Sequence, residues 1–361
     1  METPQRLLVC LRYGIGDVVM ELPALRALRT RWPGAHLTLL GARPSLELLE
    51  DDPDFDALVC VQDLGFEHWG DRGQPQAHAA FWDWFSRQDF DCVLDGSHAV
   101  AGVRIALMHS PVAQFSTDER VRVARPVTGG RGAQSIWESA CAAWGLYPEP
   151  PPAPRLFVPA AVQRWVRDVV AREDLGPRLV GLAPVASSAL KRWPAARVCS
   201  LVASLPPDPG RDVLVFGLGA REQALEAQLR RAAAPNRVHL VSPCHLQQTA
   251  ALIAHCRAFV SNDTGLMHMA AAVGTPTVGI FGPTSPHIYL PEGATAVGGE
   301  DGCAHRPADR FGPPACVLEG RCLINRRSCI TAVSVPAVRA ALERALGDGS
   351  ACAAEETGVR S

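Results

Sequence analysis

A carboxylate occupies the position where a nucleotide-binding loop would hold a phosphate. The apolar run Leu7–Leu11 leads through two glycines, Gly14 and Gly16, into Asp17 and a helical pattern. A pyrophosphate binds the free N–H groups and positive dipole end of a helix, so a negative charge here argues against a nucleotide site. Asp17 could instead serve as a general base for a substrate hydroxyl. The alternative is that Asp17 simply caps the helix, a role that Asp performs well.

Two G-x-G spacings, each following a predicted strand, lack the third glycine of the dinucleotide fingerprint. The first has Val19 and the second, Gly217-Leu218-Gly219, has Glu222 in the third-glycine position. A bare G-x-G is weak evidence for a dinucleotide site, so an NAD-dependent oxidoreductase is disfavoured. Glu222 could accept hydrogen bonds from ribose hydroxyls or cap the following helix.

A second loop carries hydroxyls and cations between a strand and a helix. Ser187 and Ser188 precede Lys191 and Arg192, and Pro194 is placed to begin the next helix. This combination predicts an oxyanion or phosphate cradle. The alternative is a solvated turn.

The stretch Asn262-Asp263-Thr264-Gly265 ends another strand and begins a helix of small residues. The helix amides would face a ligand at the strand end, which predicts a phosphate site. His268 follows Thr264 by one helical turn, so both could face the same ligand. His268 could also be a buried structural histidine.

Short β-branched runs alternate with helical patterns along the chain, which predicts βαβ units and parallel sheets covered by helices. A proline-rich stretch separates two such series, so we expect two doubly wound domains facing a cleft. The predicted strands cover residues 6–11, 36–41, 57–61, 92–96, 178–184, 212–217, 238–242, 258–263 and 276–282. The predicted divisions are an N-terminal domain at 1–147, a linker at 148–156, a C-terminal domain at 157–346 and a disordered tail at 347–361.

The composition is that of a globular protein: 361 residues, 47% hydrophobic and 20% charged. A net charge of −2 gives no basic excess for a nucleic-acid partner. Twelve cysteines without an export signal or membrane-spanning stretch predict reduced thiols and a cytoplasmic location.

These loops, taken in order, resemble glycosyltransferase family 9, the ADP-heptose:lipopolysaccharide heptosyltransferases. The resemblance runs from about Arg6 to Leu346. It implies the GT-B fold, with two Rossmann-like domains, the acceptor in the N-terminal half and the nucleotide-sugar donor in the C-terminal half. The segments that carry it are Gly16-Asp17-Val18-Val19 with Pro23–Leu28, Lys191-Arg192-Trp193-Pro194, Asn262–Gly265 with His268, and Phe281-Gly282-Pro283-Thr284.

The resemblance implies a role for each matching position. Asp17 would be the catalytic base in a loop with Arg12, Gly14 and Gly16, and Lys191 would neutralise the donor diphosphate. The other donor-binding residues would be Ser187, Ser188, Glu222, Asp263, Thr264, Gly265 and His268. The reaction would be an inverting displacement that needs no cofactor, since we expect no Asp-x-Asp metal site in either half. The implied partners are an ADP-sugar and a glycolipid or other glycan acceptor, met at the inner face of the bacterial inner membrane.

Four cysteines near the C-terminus, Cys303, Cys316, Cys322 and Cys329, lack the tight C-x2-C pairs of a zinc site. Some relatives that modify proteins hold iron with cysteines in this region, so iron or zinc here is an alternative to buried thiols. Other readings also stay open: a related enzyme with another nucleotide sugar or a protein acceptor, and a non-catalytic binding protein on the same scaffold.

Overall fold

The structure is a computed structural model. The chain divides into two compact units, residues 1–159 and 160–361. The predicted linker falls largely on residues 147–153, outside the described residues, as does the tail beyond 348. The structure describes residues 3–12, 14–67, 74–95, 113–116, 141, 144, 146, 154–206, 210–219, 223–232, 237–299, 303–306, 312–324 and 329–348.

The first unit contains a five-stranded parallel sheet in the order β3-β2-β1-β4-β5. Its strands are β1 Arg6–Cys10, β2 His36–Gly41, β3 Ala57–Cys60, β4 Cys92–Asp95 and β5 Ala113–Ser116. Its helices are α1 Ile15–Arg31, α2 Arg43–Glu47 and α3 Pro75–Phe85, with a 3-10 turn at Val61–Leu64.

The second unit contains a six-stranded parallel sheet in the order β11-β10-β9-β6-β7-β8. Its strands are β6 Val180–Ala183, β7 Asp212–Val215, β8 Arg237–Leu240, β9 Ala258–Asn262, β10 Thr277–Phe281 and β11 Thr295–Gly298. Its helices are α4 Ala160–Arg172, α5 Ala195–Ser204, α6 Gln223–Ala232, α7 Leu246–Ala254, α8 Gly265–Ala272, α9 Pro286–Tyr289, α10 Ala315–Leu318 and α11 Val335–Asp348. One-turn 3-10 helices cover Ala189–Lys191 and Cys329–Ala332.

Burial on both faces explains why the central strands are almost uniformly apolar. Strand β9 has every residue buried, and the same holds for β6 and β10, as expected for parallel strands covered on both sides. Small residues then allow helices to approach closely: a side chain at Gly279 would come within 2.7 Å of the Met267 sulfur on α8. Helix α8 therefore lies tight against the sheet that positions its N-terminus.

Each sheet has one point at which the strand order reverses. In the first unit it lies between β1 and β4, and in the second between β6 and β9. Ligands of open α/β sheets bind beyond the carboxyl ends of the strands at such switch points. The first turn of α1, which follows β1, carries Asp17, the loop after β6 carries Lys191, and the turn after β9 carries Asp263. No helix in the described ranges is long and apolar enough to cross a bilayer.

Candidate functional site

Asp17 lies in the first turn of α1, and Gly14 is the N-cap residue. The interpretation of Asp17 as the N-cap is therefore wrong, because the helix begins three residues earlier than that role requires. The carboxylate folds back over the cap: a Cβ added at Gly14 would lie 2.7 Å from Asp17 Oδ2. The absence of a side chain at residue 14 is thus part of what positions the carboxylate.

We expect Gly14→Ala to displace the Asp17 carboxylate with little effect on the fold. Gly14 has φ −81° and ψ 140°, which alanine adopts without strain, and the clash is with the end of a movable side chain. A shift of about 1 Å in a catalytic group costs up to about 100-fold in rate. Turnover and melting temperature should be measured together, with Gly34→Ala as the control because that Cβ would meet nothing within 4 Å. Unchanged turnover in Gly14→Ala would contradict this.

Arg12 is buried with an acidic partner. Its Nε lies 3.7 Å from Glu21 Oε1, and the exposed fractions of the two side chains are 4% and 0%. Arg12 Nε accordingly makes no hydrogen bond to any described residue. Glu21 follows Asp17 by one turn of α1, so this ion pair ties the end of β1 to the helix that carries the carboxylate.

Lys191 ends the one-turn 3-10 helix in the loop after β6, and Ser188 caps that helix by accepting a hydrogen bond at Oγ from Leu190 N, 3.3 Å away. Lys191 Nζ lies 2.8 Å from Asp263 Oδ2, with the two side chains 18% and 6% exposed. Asp263 Oδ2 accepts no hydrogen bond from the described residues. The contact is therefore an ion pair that leaves a buried carboxylate oxygen able to accept a further donor.

The turn after β9 brings its predicted residues to the N-terminus of α8. Thr264 is the N-cap of α8, and its Oγ1 lies 3.3 Å from Ser261 Oγ. Gly265 begins the helix, and Thr264 and Gly265 are both partly exposed at this end. The positive end of the helix dipole thus lies beside the Lys191–Asp263 pair, which suits an anionic ligand.

His268 is buried on α8, and burial lowers its pKa to about 4 from a usual value of 6.5. Asp263 raises and Lys191 lowers this pKa, and these opposite influences are smaller than that of burial. His268 is therefore neutral at physiological pH. It can donate or accept one hydrogen bond at each ring nitrogen but contributes no positive charge.

The depressed pKa predicts acid sensitivity. Between about pH 6.5 and pH 4 the unfolded chain binds a proton at His268 that the folded protein does not, so stability falls as pH is lowered through this window. The loss is on the order of 3 kcal/mol. Denaturant unfolding at several pH values measures it, and His268→Gln should flatten this part of the slope. An equal slope in the variant would contradict the assignment.

The other predicted site residues are not found at the Lys191–Asp263 ion pair. Ser187 is exposed in the loop, and Glu222 lies outside the described residues. Burial raises the pKa of the Cys316 thiol, and Cys329, Cys303 and Cys322 lie close enough to raise it further. Even so, no group of three or more His, Cys, Asp or Glu in the described ranges could hold a metal ion.

Asp-x-Asp sequences do occur in the first unit, at residues 52–54, 54–56 and 89–91. Four of these five aspartates have structural partners. Asp52 and Asp54 bind the Arg26 guanidinium at 2.6 Å, and Asp56 binds Arg29 at 2.6 Å. Asp91 accepts hydrogen bonds from the backbone N–H groups of residues 5 and 6, at the amino end of β1. That end is opposite to the one where ligands of such sheets bind.

The family model of glycosyltransferase family 9 (heptosyltransferase) matches residues 137–306. This match covers 170 of the 361 residues and likens that part of the chain to the heptosyltransferases of the family. Lipooligosaccharide heptosyltransferase 2 of Haemophilus influenzae is 38% identical over 126 residues, which are 32% of this chain and 35% of that protein. Alignments with the heptosyltransferase 2 proteins of three species span only about a third of their length, 33% to 36%.

Solved structures of family 9 share the fold of the whole chain. A family 9 glycosyltransferase of Veillonella parvula has a TM-score of 0.73 at 18% identity, covering 95% of this chain and 98% of that one. The ADP-heptose lipopolysaccharide heptosyltransferase II of Escherichia coli has a TM-score of 0.67 at 19% identity, covering 96% and 99%. The predicted GT-B fold class is confirmed.

The sequence motifs did not reveal two features of the candidate site. Lys191 is the only lysine among 35 lysine and arginine residues, a signal that counting by residue type could have found. An ammonium and a guanidinium differ in size, hydration and geometry, so a single lysine in an arginine-rich chain indicates that position 191 requires an ammonium. The second is Asn262, whose side chain contacts the loop of Lys191; no spacing in the sequence reveals that contact.

Proposed function

We propose that this chain is an inverting, metal-independent glycosyltransferase that moves a heptose from ADP-heptose to a hydroxyl of a lipopolysaccharide-core acceptor. The second unit binds the donor, the first binds the acceptor, and Asp17 and Lys191 are the catalytic residues. The enzyme works at the inner face of the bacterial inner membrane, where such an acceptor is available.

The observation that carries the proposal is the group at the switch point of the second sheet. An ammonium, a buried carboxylate and the N-terminus of α8 come together there. Lys191 and the helix amides suit the two phosphates of ADP, and Asp263 Oδ2 suits a sugar hydroxyl. Charge that develops on the leaving diphosphate would be stabilised by these preorganised groups, with no need for a metal ion.

Asp17 supplies the other half of the reaction. The acceptor hydroxyl oxygen attacks the anomeric carbon while the bond from that carbon to the phosphate oxygen breaks, and the electron pair leaves with ADP. The hydroxyl proton passes to the Asp17 carboxylate. Attack from the face opposite the leaving group inverts the anomeric configuration, through a transition state with oxocarbenium character.

The comparisons support this proposal for the donor and the class of enzyme. The family is described as heptosyltransferases, and one relative in fold is named for ADP-heptose and lipopolysaccharide. The family match also favours sugar transfer over the NAD-dependent oxidation that the incomplete glycine fingerprints already disfavoured.

The test is a transfer assay with ADP-heptose and a lipopolysaccharide-core acceptor, in which released nucleotide is separated by HPLC. ADP release that depends on acceptor and persists in EDTA is the expected result. Parallel reactions with UDP- and GDP-sugars, and with a protein acceptor, identify the related transferase activities. Release of UDP or GDP in place of ADP would overturn the donor assignment, and loss of activity in EDTA would overturn metal independence.

A further inference from the structure

The backbone hydrogen bonds of the 3-10 turn that carries Lys191 are local. Lys191 N donates to Ser188 O at 3.0 Å, and Arg192 N donates to Ala189 O at 3.2 Å. Such bonds shape the turn but do not fix where it lies on the sheet. An ammonium that must meet a diphosphate at a defined place needs an anchor outside its own loop.

The indole Nε1 of Trp193 donates a hydrogen bond to Val333 O at 2.9 Å, which holds one end of the stretch that contains Lys191. Asn262, the last residue of β9, provides an anchor that reaches both ends. Its Oδ1 accepts a hydrogen bond from Trp193 N at 3.2 Å, and its Nδ2 donates to Val185 O at 3.4 Å. Val185 and Trp193 lie at the two ends of the stretch that contains Lys191. One carboxamide therefore spans both ends of this stretch from the neighbouring strand.

The residue type matches this task. Asparagine offers a donor and an acceptor on one short side chain, whereas aspartate would lose the donor and bury a second charge beside Asp263. Asn262 is only 1% exposed, so it contacts the loop and not a ligand. The next residue, Asp263, pairs with the Lys191 ammonium, so the end of β9 holds both the backbone of the loop and the tip of its side chain.

We propose that Asn262 is a positioning residue, which sets the place of Lys191 and acts on the donor only through it. This inference rests on the proposed function, since it assumes that Lys191 binds the diphosphate. Loss of the carboxamide lets the stretch 185–193 shift, and the ammonium then meets the phosphates less often in the productive geometry.

The test is a double-mutant cycle of Asn262→Ala and Lys191→Ala, with ADP affinity measured by calorimetry on the full chain. Asn262→Ala alone is expected to weaken ADP binding about tenfold. In the Lys191→Ala background the same change should have less than about a twofold effect, because the group through which it acts is absent. Equal effects in both backgrounds would overturn the positioning role.

Thr275→Val is the matched control, because it removes a buried side-chain hydrogen bond of the same unit, 2.9 Å to Ile253 O, at the amino end of β10. It should lower the melting temperature and leave ADP affinity unchanged in both backgrounds. Asn262→Ser replaces Asn262→Ala if the alanine variant does not fold, since a hydroxyl can still accept from Trp193 N. If neither variant folds, the residue serves the fold and the proposal is wrong.

A second readout does not depend on nucleotide. Because Lys191 is the only lysine, protein labelled with ¹³Cε-lysine gives one lysine signal. The chemical shift of that signal should change in Asn262→Ala and stay the same in Thr275→Val. An unchanged shift in Asn262→Ala would overturn the positioning role of Asn262. Failure of the parent protein to bind ADP would overturn the proposed function instead, and the lysine signal would still decide the position of the side chain.

Discussion

Asp17→Asn is expected to lower turnover by about 10²- to 10⁴-fold while leaving ADP affinity unchanged. Asparagine has nearly the same shape but cannot take up the acceptor proton. Since Gly14 and not Asp17 caps α1, the fold loses the attraction between a first-turn carboxylate and the helix dipole, about 0.3 to 1 kcal/mol. The measurement is acceptor-dependent ADP release, with a melting curve and an ADP titration on the same preparation.

Asp83→Asn is the control for this experiment. Asp83 is an exposed carboxylate on α3 of the same unit and pairs with Arg87 just beyond that helix, so its loss should change neither activity nor binding. Turnover of Asp17→Asn within a few-fold of the parent, with fold and ADP affinity intact, would remove Asp17 from the mechanism. A joint loss of turnover and ADP affinity would instead indicate a wider disturbance of the protein.

Periodicity predicted the fold well where strands are buried on both faces. All nine predicted strands are present, because runs such as Leu7–Leu11 and Phe259–Val260 are apolar enough to be recognised without knowledge of their neighbours. Strands β5 and β11 were missed. Both lie at sheet edges, where a single neighbouring strand suffices and polar or small residues such as Gln114 and Thr295 are tolerated.

The candidate site was predicted in type but not in arrangement. The sequence placed Lys191 and Asp263 on strand-ending loops. Their separation of 72 positions in the sequence conceals that β6 and β9 are neighbours and that the two side chains pair. Position 17 shows a similar limit: propensity favours Asp as a cap, but Gly14, three residues earlier, takes that place. Local propensity cannot decide between such nearby residues when the turn geometry is set by the sheet.

Lys191→Ala is expected to weaken ADP binding by about 10- to 100-fold, the usual loss for a charge-assisted contact. Turnover should fall by more than binding does, because negative charge on the leaving phosphate grows in the transition state. Calorimetry with ADP and the rate of ADP release at saturating donor measure the two effects. Equal losses in both would indicate that Lys191 only tethers the donor.

The ion pair with Asp263 makes this prediction sharper, because Lys191→Ala also leaves a buried carboxylate without its counter-charge next to an incoming diphosphate. Part of the lost ADP affinity therefore arises from repulsion, and Lys191→Ala/Asp263→Asn should bind ADP more tightly than Lys191→Ala alone. Lys191→Arg separates charge from shape: a planar guanidinium keeps the positive charge, so it should bind ADP better than alanine does yet turn over more slowly than lysine. A double variant that binds ADP no better than Lys191→Ala would show that Asp263 exerts no electrostatic influence on the diphosphate, and the pairing would then have no part in donor binding.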